Sequence, residues 1–272
     1  KSGILLAGLW AAGETSVTEP EPTRDHTERM LRAFGYDVKT EGNRISLQGG
    51  GKLVGTEIQV PSDISSAAFF MVGAAITEGS DVTLEAVGIN PTRTGVIEIL
   101  KQMGADITVE NERIAGGEPI ADIRIQGTRT LKGIHMPEDQ VPLAIDEFPA
   151  LFIAAACAEG RTVLTGAAEL RVKESDRIQV MADGLKTMGI DCTPTDDGII
   201  IEGKGRSGEW GTIFTGGEIE SHHDHRIAMS FSMAGLRTSG EIKIIGTETV
   251  ATSFPTFTQL SNQAGLAIQV TE

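Results

Sequence analysis

Hydrophobic positions along the chain fall into two kinds of segment that alternate. The first kind is a helix-length run of small and apolar residues that ends at a glycine and continues into a β-branched strand. It occurs four times, at residues 2–17, 65–84, 148–164 and 226–244. Because small residues let backbones approach closely and polar positions are few, we expect these helices to be buried.

The second kind of segment carries more charge and follows each copy of the first. Each copy opens with a Ser or Thr that can cap a helix, ends at a glycine and leads into another strand-like run. The copies span residues 23–35, 92–104, 175–189 and 253–265, and the strand-like runs span 36–40, 105–109, 190–193 and 266–270, with further strands at 44–47 and 198–202. The alternation predicts an α/β fold of four small repeated modules, with the second-type helices partly solvated.

A glycine-rich stretch at residues 49–61 separates the first module from the others and predicts a linker. The 272 residues, of which 40% are hydrophobic, are enough for one or two domains. A formal net charge of −15 argues against nucleic-acid and anionic-membrane partners. Two isolated cysteines predict a reducing compartment without disulfides, and no apolar run is long enough to cross a bilayer.

Cations are scarce, yet three of them cluster with two carboxylates in the octet LRVKESDR at residues 170–177. Ser175 is predicted to cap the helix that follows, which places Lys173 and Glu174 in the preceding loop and Arg177 in the first turn. Free backbone N–H groups, the helix dipole and fixed cations favour an oxyanion there, and a carboxylate among them can move a proton. The alternative is a solvated ion-pair network at a helix start, which the octet taken alone favours.

Charged residues recur at the predicted helix starts of the other modules. The second-type helices open with Arg24, Arg93 and Arg177, and the first-type helices open near Asp63, Asp146 and Asp224. If the modules pack with approximate symmetry, these helix N-termini point at one anion site with carboxylates beside it.

The segment from Asp224 to Arg226 forms a second charged cluster. Asp224 is predicted to cap a helix, and a cation in its first turn opposes the helix dipole, so Arg226 has either a functional role or a salt bridge to a neighbouring acid. His222, His223 and His225 have a spacing found in metal sites, but no further ligands lie nearby in sequence, so we expect a polar loop and no metal. No phosphate-binding loop, dinucleotide fingerprint or serine-hydrolase elbow occurs in the sequence.

Four segments resemble EPSP synthase (3-phosphoshikimate 1-carboxyvinyltransferase) and occur in the order found in that family. They are TRDHTERML at 23–31, PTRTGVIEILKQM at 91–103, LRVKESDR at 170–177 and DHRIAMSF at 224–231, and ATSFP at 251–255 is similar to a bacterial subgroup. The resemblance runs over the whole chain. It implies two domains of three βαβαββ units each, of which this chain carries four: the last unit of an incomplete first domain at 1–58 and a complete second domain at 59–272.

The resemblance also implies a reaction. The enolpyruvyl group of phosphoenolpyruvate is transferred to the 5-hydroxyl of shikimate 3-phosphate and phosphate is released, in the cytoplasm and without a cofactor or metal. Asp146 is implied to deprotonate the 5-hydroxyl, and Glu174 to act as acid and base beside the phosphoenolpyruvate methylene. Shikimate 3-phosphate is implied to contact Arg24, Asp146 and Lys173, and phosphoenolpyruvate to contact Glu174, Arg177, His225 and Arg226.

Two positions depart from the pattern of some family members: Glu169 replaces an Asn beside the shikimate ligand, and Thr252 replaces a Lys near phosphoenolpyruvate. The chain opens within a helical pattern, and the family's amino-terminal substrate-binding motifs are absent from it. We therefore expect a companion chain that carries the amino-terminal part. The alternatives are a UDP-N-acetylglucosamine enolpyruvyl transferase, which shares the architecture, and an anion-binding half without catalysis.

Overall fold

The structure is a computed structural model that describes residues 1–20, 23–206 and 208–271. Its helices are α1 (Ser2–Gly8), α2 (His26–Ala33), α3 (Ile64–Ala75), α4 (Gly95–Gln102), α5 (Val141–Ala144), α6 (Phe148–Cys157), α7 (Arg177–Thr187), α8 (His225–Ala234), α9 (Glu248–Ser253) and α10 (Phe257–Gln263). Its strands are β1 (Glu14–Thr18), β2 (Val38–Glu41), β3 (Arg44–Gln48), β4 (Asp81–Gly88), β5 (Asp106–Ala115), β6 (Glu118–Gln126), β7 (Glu159–Leu164), β8 (Cys192–Thr195), β9 (Gly198–Lys204), β10 (Gly217–Glu220) and β11 (Ile242–Ile245). The predicted α/β class is confirmed.

Three antiparallel sheets repeat the same internal strand order along the chain: β1-β3-β2, β4-β6-β5 and β7-β9-β8. In each, the last strand of the module lies between the other two. The segments before α3 and α6 add short parallel contacts, in which Ser62 pairs with Val87 and His135 with Val163. In the fourth module this leading segment is a full strand, because β10 pairs in parallel with β11.

The strand predicted at residues 266–270 does not form. Within the described ranges, the fourth module contains no antiparallel sheet that this segment could join, and an unpartnered strand would leave its backbone groups unpaired. Instead, the Asn262 side chain forms two hydrogen bonds with the backbone of this segment. Its Nδ2 donates to the Ile268 carbonyl oxygen at 2.9 Å, and its Oδ1 accepts from the Ile268 N–H at 2.7 Å.

The first-type helices α3, α6 and α8 contact one another at the centre of the largest hydrophobic core. All 10 residues of α6 are buried, and the rings of Phe148 and Phe152 stack with their centroids 6.0 Å apart. The predicted burial is therefore confirmed for these three helices. It is wrong for α1, in which Ile4 and Leu6 are exposed, because only one face of this helix packs on the first sheet.

The first module has a small hydrophobic core of its own. Its buried members are Leu5, Leu9, Leu31, Tyr36, Val38, Ile45 and Leu47. The segment between β3 and α3 contains no helix or strand, only the isolated contact at Ser62. None of the described helices is long and apolar enough to cross a membrane.

Candidate active site

The N-termini of α3, α6 and α8 converge on one region. The Asp63 carboxylate accepts from the Ser65 and Ser66 N–H groups at 3.3 and 3.2 Å, and Asp224 accepts from the Arg226 N–H at 2.9 Å. The predicted cap at Asp224 is therefore confirmed. Asp146 lies just before α6, and its own neighbour Glu147 occupies the N-cap position of that helix.

The three predicted arginines all reach this region. Arg24 and Arg177 contact the Asp146 carboxylate directly, and Arg93 reaches Glu147 through the Ser65 hydroxyl. Arg24 precedes α2 and so belongs to the first module, whereas Asp146 belongs to the third. The site is therefore built from modules that lie far apart in the sequence, as the predicted convergence of helix starts requires.

Asp146 is surrounded by cations. Its Oδ2 lies 2.5 Å from Arg24 Nη2, and its Oδ1 lies 3.5 Å from Arg177 Nη1 and 3.7 Å from Lys173 Nζ. Burial by itself would raise the pKa of Asp146, but the positive charges, first of Arg226 and then of Arg24, lower it to about 2. The carboxylate is consequently ionised at neutral pH and able to accept a hydrogen bond from a hydroxyl group.

Arg177 is completely buried and binds two further carboxylates. Its Nε donates to Asp224 Oδ2 at 2.8 Å, and its Nη2 donates to Glu174 Oε2 at 2.6 Å. Burial would raise the pKa of Asp224, but the Arg177 guanidinium lowers it below its usual range. Because the central cation is buried, this cluster is not the solvated ion-pair network that the octet alone favoured.

The loop of the octet lies where it was predicted, but the residue that caps the following helix, α7, differs from the prediction. Lys173 and Glu174 precede α7, and Arg177 is its first residue. The cap is Asp176, whose carboxylate accepts from the Gln179 N–H at 3.0 Å. The prediction of Ser175 as cap is wrong because the Ser175 hydroxyl donates to Asp224 Oδ2 at 3.0 Å, across to α8.

Glu174 is the exposed charged residue of the octet, and Lys173 is half-buried. The Glu174 side chain is 54% exposed, and its carboxylate touches the site through Arg177. The Lys173 ammonium contacts the carboxylate of Glu169, an exposed residue.

Arg226 and His225 line a small cavity of about 80 Å³ together with Asp63, Ser65 and Phe254. Arg226 Nη1 donates to the Asp146 backbone carbonyl at 3.1 Å and lies 4.0 Å from Glu147 Oε1. Burial, followed by the positive charge of Arg226, lowers the pKa of His225, which is therefore neutral at pH 7. A neutral imidazole and a guanidinium offer hydrogen-bond donors to an anion at this place.

Comparison with known proteins identifies the family of the chain. The family model for EPSP synthase (3-phosphoshikimate 1-carboxyvinyltransferase) matches residues 1–260. The chain belongs to the EPSP synthase family. The 3-phosphoshikimate 1-carboxyvinyltransferases of Methylococcus capsulatus and Nitrosococcus oceani are 64% and 63% identical to it, over 99% of this chain in each case.

A 2.37 Å structure of EPSP synthase from Acinetobacter baumannii superposes with a TM-score of 0.98 at 90% identity. It covers 100% of this chain, and the match takes up 61% of the Acinetobacter chain. The chain also spans only part of the two relatives named above: 60% of the length of the Methylococcus protein and 59% of the length of the Nitrosococcus protein.

Within this EPSP synthase architecture, the histidines before α8 do not form a metal cluster. The imidazole of His223 contacts the carboxylate of Glu248 on α9. Across the parts of the chain that the structure describes, no group of three or more His, Cys, Asp or Glu side chains is placed to hold a metal ion. Thr252 lies on α9, next to Ser253 of the small cavity.

Sequence reasoning missed two polar residues of the site, Glu147 and Ser65. Both are buried, and the Ser65 hydroxyl donates to Glu147 Oε1. The only local signal is the pair of acids, Asp146 and Glu147, before an apolar run. A role was predicted for Asp146 alone. Nothing in the sequence near Glu147 indicates a partner on α3.

Proposed function

We propose that this chain supplies the carboxy-terminal part of an enzyme that transfers the enolpyruvyl group of phosphoenolpyruvate to shikimate 3-phosphate and releases phosphate. The observation that carries the proposal is the buried Arg177, which joins Asp146, Glu174 and Asp224 in one cluster beside Lys173. Two anionic substrates need convergent cations, and a vinyl carbon that gains and then loses a proton needs a mobile carboxylic acid.

Asp146 is the proposed base for the 5-hydroxyl of shikimate 3-phosphate. Its pKa is lowered by the positive charges of Arg226, Arg24 and Lys173. We expect the substrate phosphate to engage Arg24 and Lys173, which draws both charges away from Asp146 and raises its basicity. The hydroxyl oxygen then forms its bond to C2 of phosphoenolpyruvate as its proton passes to Asp146.

Glu174 is the proposed acid and base at the methylene carbon. In the addition step its proton forms the new C–H bond at C3 while the hydroxyl oxygen bonds to C2. In the elimination step Glu174 removes a proton from the resulting methyl group, the C2–C3 double bond re-forms and the C2–O bond to phosphate breaks. The proton accepted by Asp146 leaves with the departing phosphate. We expect His225 and Arg226, which line the small cavity, to bind the carboxylate and phosphate of phosphoenolpyruvate and to stabilise the charge on the departing phosphate. Arg177 joins them by exchanging its contact with Glu174 for one with the ligand.

The proposed domain division places a first-domain unit at residues 1–58 and a second domain at 59–272. The separate hydrophobic core of the first module and the absence of a helix or strand between β3 and α3 support it. We infer that the part of the relatives' chain outside this match supplies the rest of the cleft. We expect the reaction to take place in the cytoplasm, since Cys157 and Cys192 are free and buried.

The proposal is tested by phosphate release from phosphoenolpyruvate and shikimate 3-phosphate. The chain is assayed alone and with the amino-terminal segment of the Acinetobacter baumannii EPSP synthase. We expect phosphate release only in the mixture. Release with UDP-N-acetylglucosamine in place of shikimate 3-phosphate would assign the other transferase activity, and no release with either acceptor would contradict the proposed function.

A further inference from the structure

Glu147 occupies the N-cap position of α6 but does not cap that helix. An N-cap side chain ordinarily accepts a hydrogen bond from the second or third helical N–H. The second helical residue here is Pro149, which has no N–H, and the Glu147 carboxylate makes no capping hydrogen bond. This side chain is nevertheless almost fully buried, at 4% exposure. Helix capping therefore does not explain why a carboxylate stands at this position.

The carboxylate is turned towards two guanidinium groups. Its Oε1 accepts from the Ser65 hydroxyl, and that hydroxyl accepts in turn from Arg93 Nη2 at 2.6 Å. The same Oε1 lies 4.0 Å from Arg226 Nη1. The same Nη2 of Arg93 also donates to Asp63 Oδ1 at 2.9 Å. Glu147 thus places a buried carboxyl group beside Arg226, the arginine that lines the small cavity.

Burying a carboxylate in this way is unfavourable. Burial raises the pKa of Glu147, against the smaller lowering effects of the Ser65 hydroxyl and the Arg226 guanidinium. A neutral amide of the same size would avoid that penalty and still accept the Ser65 hydrogen bond. Residues that are costly to stability and unexplained by local structure are characteristic of functional sites.

We propose that Glu147 is a positioning residue whose carboxylate holds the Arg226 guanidinium at the cavity for the phosphoenolpyruvate anion. The Arg226 side chain has a second fixed point, because its Nη1 donates to the Asp146 carbonyl oxygen at 3.1 Å. The backbone acceptor and the Glu147 carboxyl group both fix the position of Nη1, and the Arg226 side chain lines the small cavity. Glu147 itself contacts no reacting atom. This inference rests on the function proposed above.

The test compares Glu147→Gln with wild type in the chain mixed with the Acinetobacter amino-terminal segment. The variant keeps the acceptor for Ser65 and removes the ionisable group beside Arg226. We expect the apparent KM for phosphoenolpyruvate to rise about tenfold, while the KM for shikimate 3-phosphate stays within about twofold. Glu98→Gln, the same chemical change at an exposed position on α4, is the matched control and should leave both constants unchanged.

The outcomes separate this inference from the function on which it rests. An active wild-type mixture in which Glu147→Gln leaves both KM values unchanged, or raises them equally, overturns the positioning role and leaves the proposed function intact. A wild-type mixture that releases no phosphate contradicts the proposed function and, with it, the role of Glu147. A rise confined to phosphoenolpyruvate supports both.

Discussion

Glu174 is the residue on which the proposed chemistry most directly depends. Its side chain is half exposed and stands in a loop, so replacing it changes little of the packing. For Glu174→Gln in the reassembled enzyme we expect turnover to fall by about 10² to 10⁴-fold, because the amide cannot transfer a proton. The free energy of unfolding of the chain should change by less than about 0.5 kcal/mol.

Initial rates of phosphate release and urea denaturation measure these two effects. Asp146→Asn is expected to behave in the same direction, since the amide cannot accept the hydroxyl proton. Near-normal turnover in either variant would remove that residue from the mechanism, and a large loss of stability in Glu174→Gln would show that its contact with Arg177 is structural.

The pH dependence of stability provides a separate measurement on Glu147. Because the pKa of this group is raised above its ordinary value of 4.5, the folded chain binds the proton more tightly than the unfolded chain. Its stabilising contribution is fully present below the unfolded-state pKa and is lost as pH rises towards the folded-state pKa. Glutamine does not ionise, so the Glu147→Gln variant does not lose this contribution to the free energy of unfolding as the pH rises.

We therefore expect the unfolding free energy of Glu147→Gln, relative to wild type, to increase when the pH is raised from about 4 to about 7. Urea denaturation at several pH values measures the difference, with Glu98→Gln as control. A difference that does not change with pH, or that decreases, would show that the buried carboxylate is not destabilised by its surroundings.

At the scale of helices and strands, the packing of α7 on α8 depends on one glycine. A Cβ at Gly184 would lie 2.3 Å from Cζ of Phe231, a ring that is completely buried. Alanine is intrinsically about 1 kcal/mol better than glycine inside a helix. The clash outweighs this preference, and we expect Gly184→Ala to destabilise the chain by about 1 to 3 kcal/mol.

Urea denaturation checks the prediction, with Gly235→Ala as the matched control. Gly235 ends α8 with φ −55°, and a Cβ there would have no neighbour within 4 Å. The control should be neutral or slightly stabilising. Equal effects of the two substitutions would indicate that α7 and α8 can separate at little cost.

The elements that were predicted correctly are those with a local cause. The glycines at 35, 104, 189 and 265 each lie two residues beyond a second-type helix, and Asp224 caps α8 as expected. The glycines predicted to end the first-type helices lie three to six residues beyond them, and Gly160 lies inside β7. Ser175 failed as a cap because a strong capping residue, Asp176, follows it, and residue type alone does not choose between neighbours. The segment 266–270 failed because a strand needs a partner, which is a property of the sheet and not of the segment.

The candidate site shows the same limit. The helix starts that carry Arg24, Arg93 and Arg177 are visible in the sequence, and so is the resemblance that assigns Glu174 and Arg226. The role suggested for Glu147 depends on Ser65, which lies 82 residues earlier in the chain. Such a contact is created by helix packing, and no local pattern predicts it.

At the scale of the whole molecule, the first module differs from the rest by its exposed apolar surface. Ile4, Leu6 and Trp10 are 53%, 45% and 82% exposed along α1 and the turn after it. We expect amides in α1 and its sheet to exchange with solvent faster than amides in α3, α6 and α8. We also expect the chain, when it is alone, to self-associate through this apolar surface. Hydrogen exchange and sedimentation measure this, and strong protection of α1 in a monomer would contradict it.

The most direct test of the two-part site is a titration of phosphate release. The chain is held at constant concentration while the Acinetobacter amino-terminal segment is added, with both substrates present. We predict that the rate rises and saturates at one segment per chain, and that Glu174→Gln gives no comparable rate at any ratio. Full activity of the chain before any segment is added, or a rate that does not depend on Glu174, would contradict a site shared between the two parts.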